Sequence, residues 1–309
     1  VNTAVVDIGT NTLLLLIVDE TGKPLVDLCR FGRLGQGLDA TGKLAPEAIA
    51  RSLDIVREYR GVMDEHGIGA PIIIATQAMR EAKNASEFVP EAEKIFRGTI
   101  EIIAGPREAE LAFKSVAQTF PKLAGTAYVV VDVGGGSTEF IVTDGTRVVS
   151  AVSIPIGAVR LTERHLKSDP ASADEIAALD ADIERHLDKL ELPRGVPLVA
   201  TAGTATTMAA IDLALASYDA NAVTGHRIEP HAVQGLLHRL LGSTAADRKG
   251  ITGLQPQRAD VIAAGVAIYA RAVARMAAPV LIACDRGIRW GVAYEQLSTA
   301  AASRGSSAT

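Results

Sequence analysis

The chain has 309 residues, 48% of them hydrophobic and 22% charged, with 28 glycines and a formal net charge of −5, which places it among ordinary globular proteins and favours two domains of roughly 100 to 200 residues each. The acidic balance argues against a broad surface for nucleic acid or anionic membrane, since such binders carry a basic face. No stretch is apolar for the roughly 18 residues of a membrane span, and the opening VNTAVVDIGTN lacks the basic region and cleavage site of a signal peptide, so a cytoplasmic protein is expected.

In the first half, strands and helices alternate. Strands are expected over 3–7, 13–18, 25–31, 71–76 and 99–103, and apolar spacing predicts helices over 46–66 and 86–96, with Pro46 near the first helical position of the former. A third helix, 108–120, leads out of this unit. GLDATGK, Gly37 to Lys43, satisfies Gly-x-x-x-x-Gly-Lys, but Leu44 stands where a P-loop needs its magnesium-binding hydroxyl, so a turn leading into the helix at Pro46 is the better reading. The second half restarts with strands over 127–132, 139–143 and 147–153. Helices over 173–190, 231–241 and 258–276 then dominate, with short strands over 197–201 and 279–283. The resulting domains are 1–120 and 121–297, and 298–309 is a small, polar tail expected to be disordered. Cys29 and Cys284 lack a metal-type spacing and are expected to be reduced structural thiols. The six histidines form no zinc pattern.

DVGGGSTEF, Asp132 to Phe140, places three consecutive glycines after a strand. A dinucleotide fingerprint would open into a helix there, whereas this loop opens into a hairpin. Glycine lets backbone amides approach an anion closely, so a phosphate pocket remains the natural reading. The segment also repeats an earlier one. DIGTNTLLLLIVDETGK overlays DVGGGSTEFIVTDGT and pairs Asp7 with Asp132, Gly9 with Gly134, Thr12 with Ser137 and Asp19 with Asp144. A duplicated arrangement is expected to set both loops on one interdomain cleft, where ligands bind. Backbone amides and the hydroxyls of Thr10, Thr12, Ser137 and Thr138 could cradle phosphate oxygens, while Asp7 and Asp132 could hold hydrated magnesium, which uses one or two carboxylates plus substrate phosphates.

Paired loops of this kind resemble the actin, sugar kinase and Hsp70 superfamily. Within it, the motifs DIGTNT at Asp7, RLGQGLDATGKL at Arg33, ATQAMREAKNA at Ala75, IIAGPREAE at Ile102, DVGGGSTEF at Asp132, TAGTATTMAA at Thr201, RADVIAAG at Arg258 and CDRGIRWGV at Cys284 are similar to the exopolyphosphatase and guanosine pentaphosphate phosphohydrolase family. The resemblance runs from about Thr3 to Glu295. It implies two ribonuclease H-like α/β domains around a cleft and magnesium-dependent hydrolysis of terminal phosphoanhydride bonds.

The resemblance implies that Glu108 is the general base, with Asp132 and Glu139 the further catalytic carboxylates and metal ligands, and the repeat adds Asp7 to the metal set. The resemblance places Arg80, Gly134 and Ser137 on the phosphates, to which the paired loops add Gly9, Thr10, Asn11, Thr12, Gly135, Gly136 and Thr138, and the TAGT segment adds Gly203 and Thr204. By residue type alone, Glu108 is a first-turn helix carboxylate, Arg80 a solvated helix residue, the two aspartates turn residues, and Gly203 and Thr204 the start of a helix. The chemistry suits the implied roles, since phosphoanhydride hydrolysis needs positioning, charge neutralisation and an aligned water more than covalent help.

The expected function is an exopolyphosphatase. The chain ends soon after CDRGIRWGV, as in the short two-domain form of the family, which favours short polyphosphate. Guanosine pentaphosphate hydrolysis is the alternative, and Ala202, where the family commonly has the first glycine of Gly-Gly-Thr, bears on nucleoside recognition. A non-catalytic nucleotide sensor and a kinase are the remaining readings. A homodimer is implied by the resemblance alone, because the apolar stretch DVIAAGVAIYARAVARMAAPVLIA fits a buried core helix and strand as well as an interface.

Overall fold

A computed structural model describes residues 2–306, with side chains described for 2–299. The chain divides into two compact units, Val1–Ser115 with Ile288–Thr309, and Val116–Gly287. Strands of the first unit are β1 (Thr3–Ile8), β2 (Leu13–Val18), β3 (Pro24–Arg30), β4 (Ile72–Ala75) and β5 (Ile100–Ile102). Its helices are α1 (Leu38–Thr41), α2 (Pro46–Glu65), α3 (Gln77–Glu81) and α4 (Val89–Phe96), and α5 (Gly105–Thr119) leads into the second unit. The second unit holds β6 (Tyr128–Val133), β7 (Thr138–Thr143), β8 (Val148–Ile154), α6 (Ala158–His165), α7 (Ala173–Leu187), β9 (Leu198–Thr201), α8 (Ala202–Asp212), α9 (Ala220–Val223), β10 (Arg227–Ile228), α10 (Pro230–Leu241), α11 (Ala245–Arg248), α12 (Ile262–Met276) and β11 (Leu281–Ala283). Helix α13 (Ile288–Ser306) closes the chain.

The first sheet has the order β3-β2-β1-β4-β5, with β1, β2 and β3 antiparallel and β1, β4 and β5 parallel. The second repeats it as β8-β7-β6-β9-β11 and adds β10 as an antiparallel edge. These are the two similar units that the internal repeat predicted and the ribonuclease H-like α/β fold that the family resemblance implied. β1, β2 and β6 are buried along nearly their whole length, as strands covered on both faces are. Helix α2 starts at Pro46 and buries Ile49, Val56, Tyr59 and Met63, and the Tyr59 hydroxyl donates to the Leu13 carbonyl at 2.7 Å.

Four expectations change. The expected helix over 86–96 is shortened to α4, because Pro90 sits in the first turn of a helix that starts only at Val89. The GLDATGK segment forms the one-turn helix α1 between Gly37 (φ 72°) and Gly42 (φ 67°), left-handed residues that need glycine and leave no phosphate loop. Helix α13 groups with the first unit, not with a continuous 121–297 domain. It lies along β1 and β2, its Glu295 pairs with Lys114 at 2.8 Å and with Arg107, and Arg289 pairs with Asp27 at 3.1 Å. The tail expected from Ser298 continues this helix through Ser306, while 307–309 lie outside the described residues. Helix α12 is a core helix of the second unit, buried from Ile262 to Ala270 and again at Ala272, Val273 and Met276. Neither cysteine is in a disulfide; Cys284 is buried and Cys29 half-buried.

Candidate active site

The second unit organises its chemistry along a single row of residues. Asp132 on β6 pairs with Glu139 on β7, Glu139 pairs with Ser153 on β8, and on the other side Asp132 pairs with Thr201 at the end of β9. Directly paired residues point to the same face of a sheet with Cβ atoms about 5 Å apart. Thr201, Asp132, Glu139 and Ser153 therefore form a continuous polar row across four strands. Glu139 is 3% exposed, and the Ser153 hydroxyl donates to its Oε1 at 2.7 Å. Burial raises the carboxyl pKa of half-buried Asp132, and the Thr201 hydroxyl beside it offsets only part of that rise. Under this row the Tyr269 hydroxyl of α12 reaches the Thr201 carbonyl at 2.6 Å and the Val131 carbonyl at 3.1 Å, pinning the ends of β9 and β6.

Between β6 and β7 lie the three glycines. The Gly134 amide donates to the Ser137 carbonyl at 3.0 Å and closes the turn. The first amides of α6 take the carbonyls: Ala158 donates to Gly134 at 2.9 Å, and Val159 and Arg160 donate to Gly135 at 2.9 and 3.1 Å. A trans peptide holds its N–H opposite its C=O. The amides of Gly135 and Gly136 are thereby turned away from α6, a pair of donors suited to an anion. Glycine is also required on the helix side, because a Cβ at Gly157 would come within 2.6 Å of the Gly135 carbonyl and the Gly136 nitrogen.

The matching loop of the first unit is built in the same way. Gly9 donates to the Thr12 carbonyl at 2.9 Å, and the carbonyls of Thr10 and Asn11 accept from Gly35 at 2.8 Å and Arg33 at 2.9 Å. The amides of Asn11 and Thr12 then face away from the 33–35 turn. Arg33 adopts a left-handed φ of 53°, and the Thr10 side chain packs against Gly35. Asp7, 8% exposed, differs from Asp132 in its surroundings, since its row consists of Ile74, Leu14 and Cys29.

Also in the first unit, the structure brings Arg80 and Glu108 together. Glu108 lies in the first turn of α5 and is 6% exposed, while Arg80 projects from α3. Arg80 Nη1 donates to the Ile103 carbonyl at 2.5 Å and to Glu108 Oε1, and its Nη2 reaches Gln77 Oε1 at 3.5 Å. A single arginine hydrogen bond of this kind orients the carboxylate it reaches.

One hydroxyl expected on phosphate is engaged elsewhere, and Thr204, a further phosphate residue by expectation, packs against a helix. Thr138 is fully buried and donates to the Ile156 carbonyl at 2.7 Å. Thr204 packs its side chain against α12, where a Cβ at Gly265 would come 2.5 Å from the Thr204 oxygen. Gly203 keeps its place at the start of α8, because the Arg258 guanidinium fills the space a side chain would need. Helix α8 begins immediately after Thr201, with Ala202 at a left-handed φ of 67° and no side-chain cap on the first amides. Its N-terminus thus stands next to Asp132 in the row and is favourable for an anion. Ser153, Thr201, Gly157 and Tyr269 were not legible as site residues in the sequence. Cross-strand register would have found the first two, the first only with the β7–β8 bulge known.

Among the described residues, no three or more His, Cys, Asp and Glu side chains are grouped to hold a metal unaided. The adjacent carboxylates of Asp132 and Glu139 suit magnesium, which completes its shell with water and substrate oxygens. No helix among the described residues is long and apolar enough to cross a membrane.

Residues 17–300 match the pattern of the Ppx/GppA phosphatase family. Exopolyphosphatase 2 of Mycobacterium tuberculosis is 36% identical over 283 residues, 86% of this chain and 88% of that protein. Among solved structures, an exopolyphosphatase-like protein superposes with a TM-score of 0.89 at 32% identity, covering 97% of this chain and 99% of the other. An exopolyphosphatase from Cytophaga hutchinsonii superposes with a TM-score of 0.87 at 27% identity, covering 97% and 98%.

Proposed function

The chain belongs to the Ppx/GppA phosphatase family, and from that premise we propose that it is an exopolyphosphatase, releasing orthophosphate from the end of inorganic polyphosphate, short chains in particular. The observation that carries this reading is the Asp132–Glu139 pair beside a glycine loop whose Gly135 and Gly136 amides are turned away from α6. That combination offers donors to phosphate oxygens and carboxylates for a cation, the two needs of a phosphoanhydride substrate.

In this proposal Glu108 accepts the proton of the attacking water as the bond to the leaving phosphate oxygen breaks. Arg80 holds the Glu108 carboxylate in place and adds positive charge for the phosphate oxygens. The amides of Asn11, Thr12, Gly135 and Gly136 and the start of α8 bind and orient phosphate groups. Magnesium, when bound at Asp132 and Glu139, supplies charge neutralisation to the phosphates. Magnesium dependence, a cytoplasmic location and a homodimer belong to the same proposal, the homodimer on the family resemblance alone. For the dimer, α12 offers no support, being buried in its own unit.

Hydrolysis of guanosine pentaphosphate is the second reading. Ala202 bears on it through nucleoside recognition without deciding it, and its φ of 67° keeps a glycine-like backbone where the family's Gly-Gly-Thr pattern is altered. The test is phosphate release with magnesium from short polyphosphate, long polyphosphate and guanosine pentaphosphate in parallel, with Glu108→Ala as control. Turnover of polyphosphate that the variant abolishes is expected, and turnover of guanosine pentaphosphate alone would favour the second reading. No release from any of the three by folded protein would sink both in favour of a sensor.

A further inference from the structure

We infer that Ser153 is a positioning residue for Glu139, orienting its carboxylate toward the activating cation. The inference rests on the proposal that Glu139 holds that cation. Its geometric basis is direct. Glu139 and Ser153 are register partners on β7 and β8, and the serine hydroxyl donates to Glu139 Oε1 at 2.7 Å.

The location makes a purely structural role a poor account of this hydroxyl. β8 is the edge strand of its sheet, and Ser153 lies at an exposed position where water could satisfy a hydroxyl and where alanine would fit. Its carboxylate partner, by contrast, is almost fully buried and sits beside a second carboxylate, Asp132. A glutamate has three side-chain torsions, and a cation held by few protein ligands depends on each of them being oriented. A hydrogen bond that fixes one oxygen of a ligating carboxylate tunes cation affinity without touching the substrate, and loss of such partners lowers metal affinity by roughly 10–100-fold.

The alignment of the two side chains depends on an irregularity. The register of β7 with β8 shifts between Val142 and Thr143. Without that shift the residue opposite Glu139 would be Val152, and Ser153 would point to the other face. The bulge therefore delivers a hydroxyl to Glu139 at a position that regular pairing would give to valine.

The test uses the full chain with Ser153→Ala, Ser153→Thr and Glu139→Gln. Manganese binding is followed by the loss of the free-ion electron paramagnetic resonance signal, in the presence of inorganic phosphate. Thermal melting and the magnesium concentration for half-maximal polyphosphate hydrolysis are measured beside it. Ser153→Ala is expected to bind manganese about tenfold more weakly and to need correspondingly more magnesium, its deficit shrinking as magnesium is raised. Ser153→Thr, which keeps the hydroxyl, is expected to restore both. If Ser153→Ala melts at a lower temperature but binds manganese like the parent, while Glu139→Gln binds weakly, the hydroxyl is structural and the inference is overturned. Unchanged binding in Glu139→Gln would instead remove the cation from Glu139, and the inference would fall with that reading.

Discussion

The hairpins β1–β2–β3 and β6–β7–β8 are copies of one design, with residue n of β1 and β2 matching n + 125 of β6 and β7, and residue n of β3 matching n + 124 of β8 after a shorter turn. Gly9 and Gly134 close their loops by the same amide-to-carbonyl bond, and both hairpins shift register at matching places, Ile17/Val18 and Val142/Thr143. Asp19 and Asp144 each cap the following turn. The Thr21 or Thr146 hydroxyl donates to the carboxylate at 2.6 Å, and backbone amides help it hold the pKa low. The row through the conserved-in-copy aspartate is where they part. Asp132 stands among Thr201, Glu139 and Ser153, whereas Asp7 stands among Ile74, Leu14 and Cys29. Backbone geometry sufficient to present amides to phosphate has been kept twice, while the charged pair suited to a cation occurs in one copy. The first unit instead contributes Glu108 with Arg80, carried on α5 and α3 outside its hairpin.

That division predicts different phenotypes for carboxylates of the two units, and these are the largest effects expected. Glu108→Ala should lower kcat by about 10²–10⁴-fold, the usual contribution of a general base, while leaving manganese binding intact. Glu139→Gln should weaken manganese binding. Rates measured across a magnesium series separate the two, and a magnesium requirement displaced by Glu108→Ala would break the assignment of base and cation carboxylate to separate units.

The braces behind the two loops give the next contrast. A Cβ at Gly157 meets backbone of the glycine loop at 2.6 Å, while a Cβ at Gly35 meets the Thr10 methyl at 2.1 Å. Backbone can yield only by moving the loop, whereas a side chain can turn. Gly157→Ala is expected to cost about 1–3 kcal/mol by overpacking and to raise KM for polyphosphate, with Gly35→Ala milder on both counts. Denaturant unfolding and KM for the pair check this, and equal effects would show that Thr10 is held as firmly as the loop backbone.

Much of this architecture could be read in the residues, because the repeat is carried by side chains with local duties. Asp-x-Gly ends a strand, and Asp19 and Asp144 cap turns in their own neighbourhood, so their positions survive as sequence pattern. Glu108 and Arg80 were reached through motif context, and the structure joins them in an ion pair. What stayed hidden depends on register and on close approach. A tight turn after Asp144 would by itself pair Glu139 with Val152, and only the bulge corrects this to Ser153. Thr138 looks like a phosphate donor by type, yet its hydroxyl is spent on the Ile156 carbonyl, and Thr204 packs beside Gly265 of α12. The membership of α13 in the first unit is likewise a long-range packing fact, set by partners such as Asp27 that lie far away in sequence.

Asp132 carries a penalty that can be measured. Burial raises its carboxyl pKa in the folded protein, so the folded state binds the proton more tightly than the unfolded chain does. Stability is unaffected where both states are protonated and falls as pH rises from the ordinary aspartate range through the folded value. In magnesium-free buffer, Asp132→Asn should therefore melt above the parent at neutral pH, and the gap should close on acidification. Added magnesium should stabilise the parent more than the variant. A variant that melts lower at neutral pH would mean that the row already compensates the charge without a cation.

The smallest expected effect concerns the way each unit turns from its inner strand into the next helix. In the first unit, Ile74 pairs with Asp7 and α3 does not begin until Gln77. In the second, Thr201 pairs with Asp132 and α8 begins at once with Ala202, which must take φ 67° to make the corner. The early corner brings the α8 amides level with Asp132, and the left-handed alanine is the strain that accompanies it. Ala202→Gly relieves that strain but loosens the unfolded chain, so a net gain of about 0.5–1 kcal/mol is expected, seen as a melting temperature higher by about 2–4 °C at most. The same change at Ala75, which has no left-handed φ, should destabilise. If Ala202→Gly also destabilised, the corner would be unstrained, and the early start of α8 would need another cause.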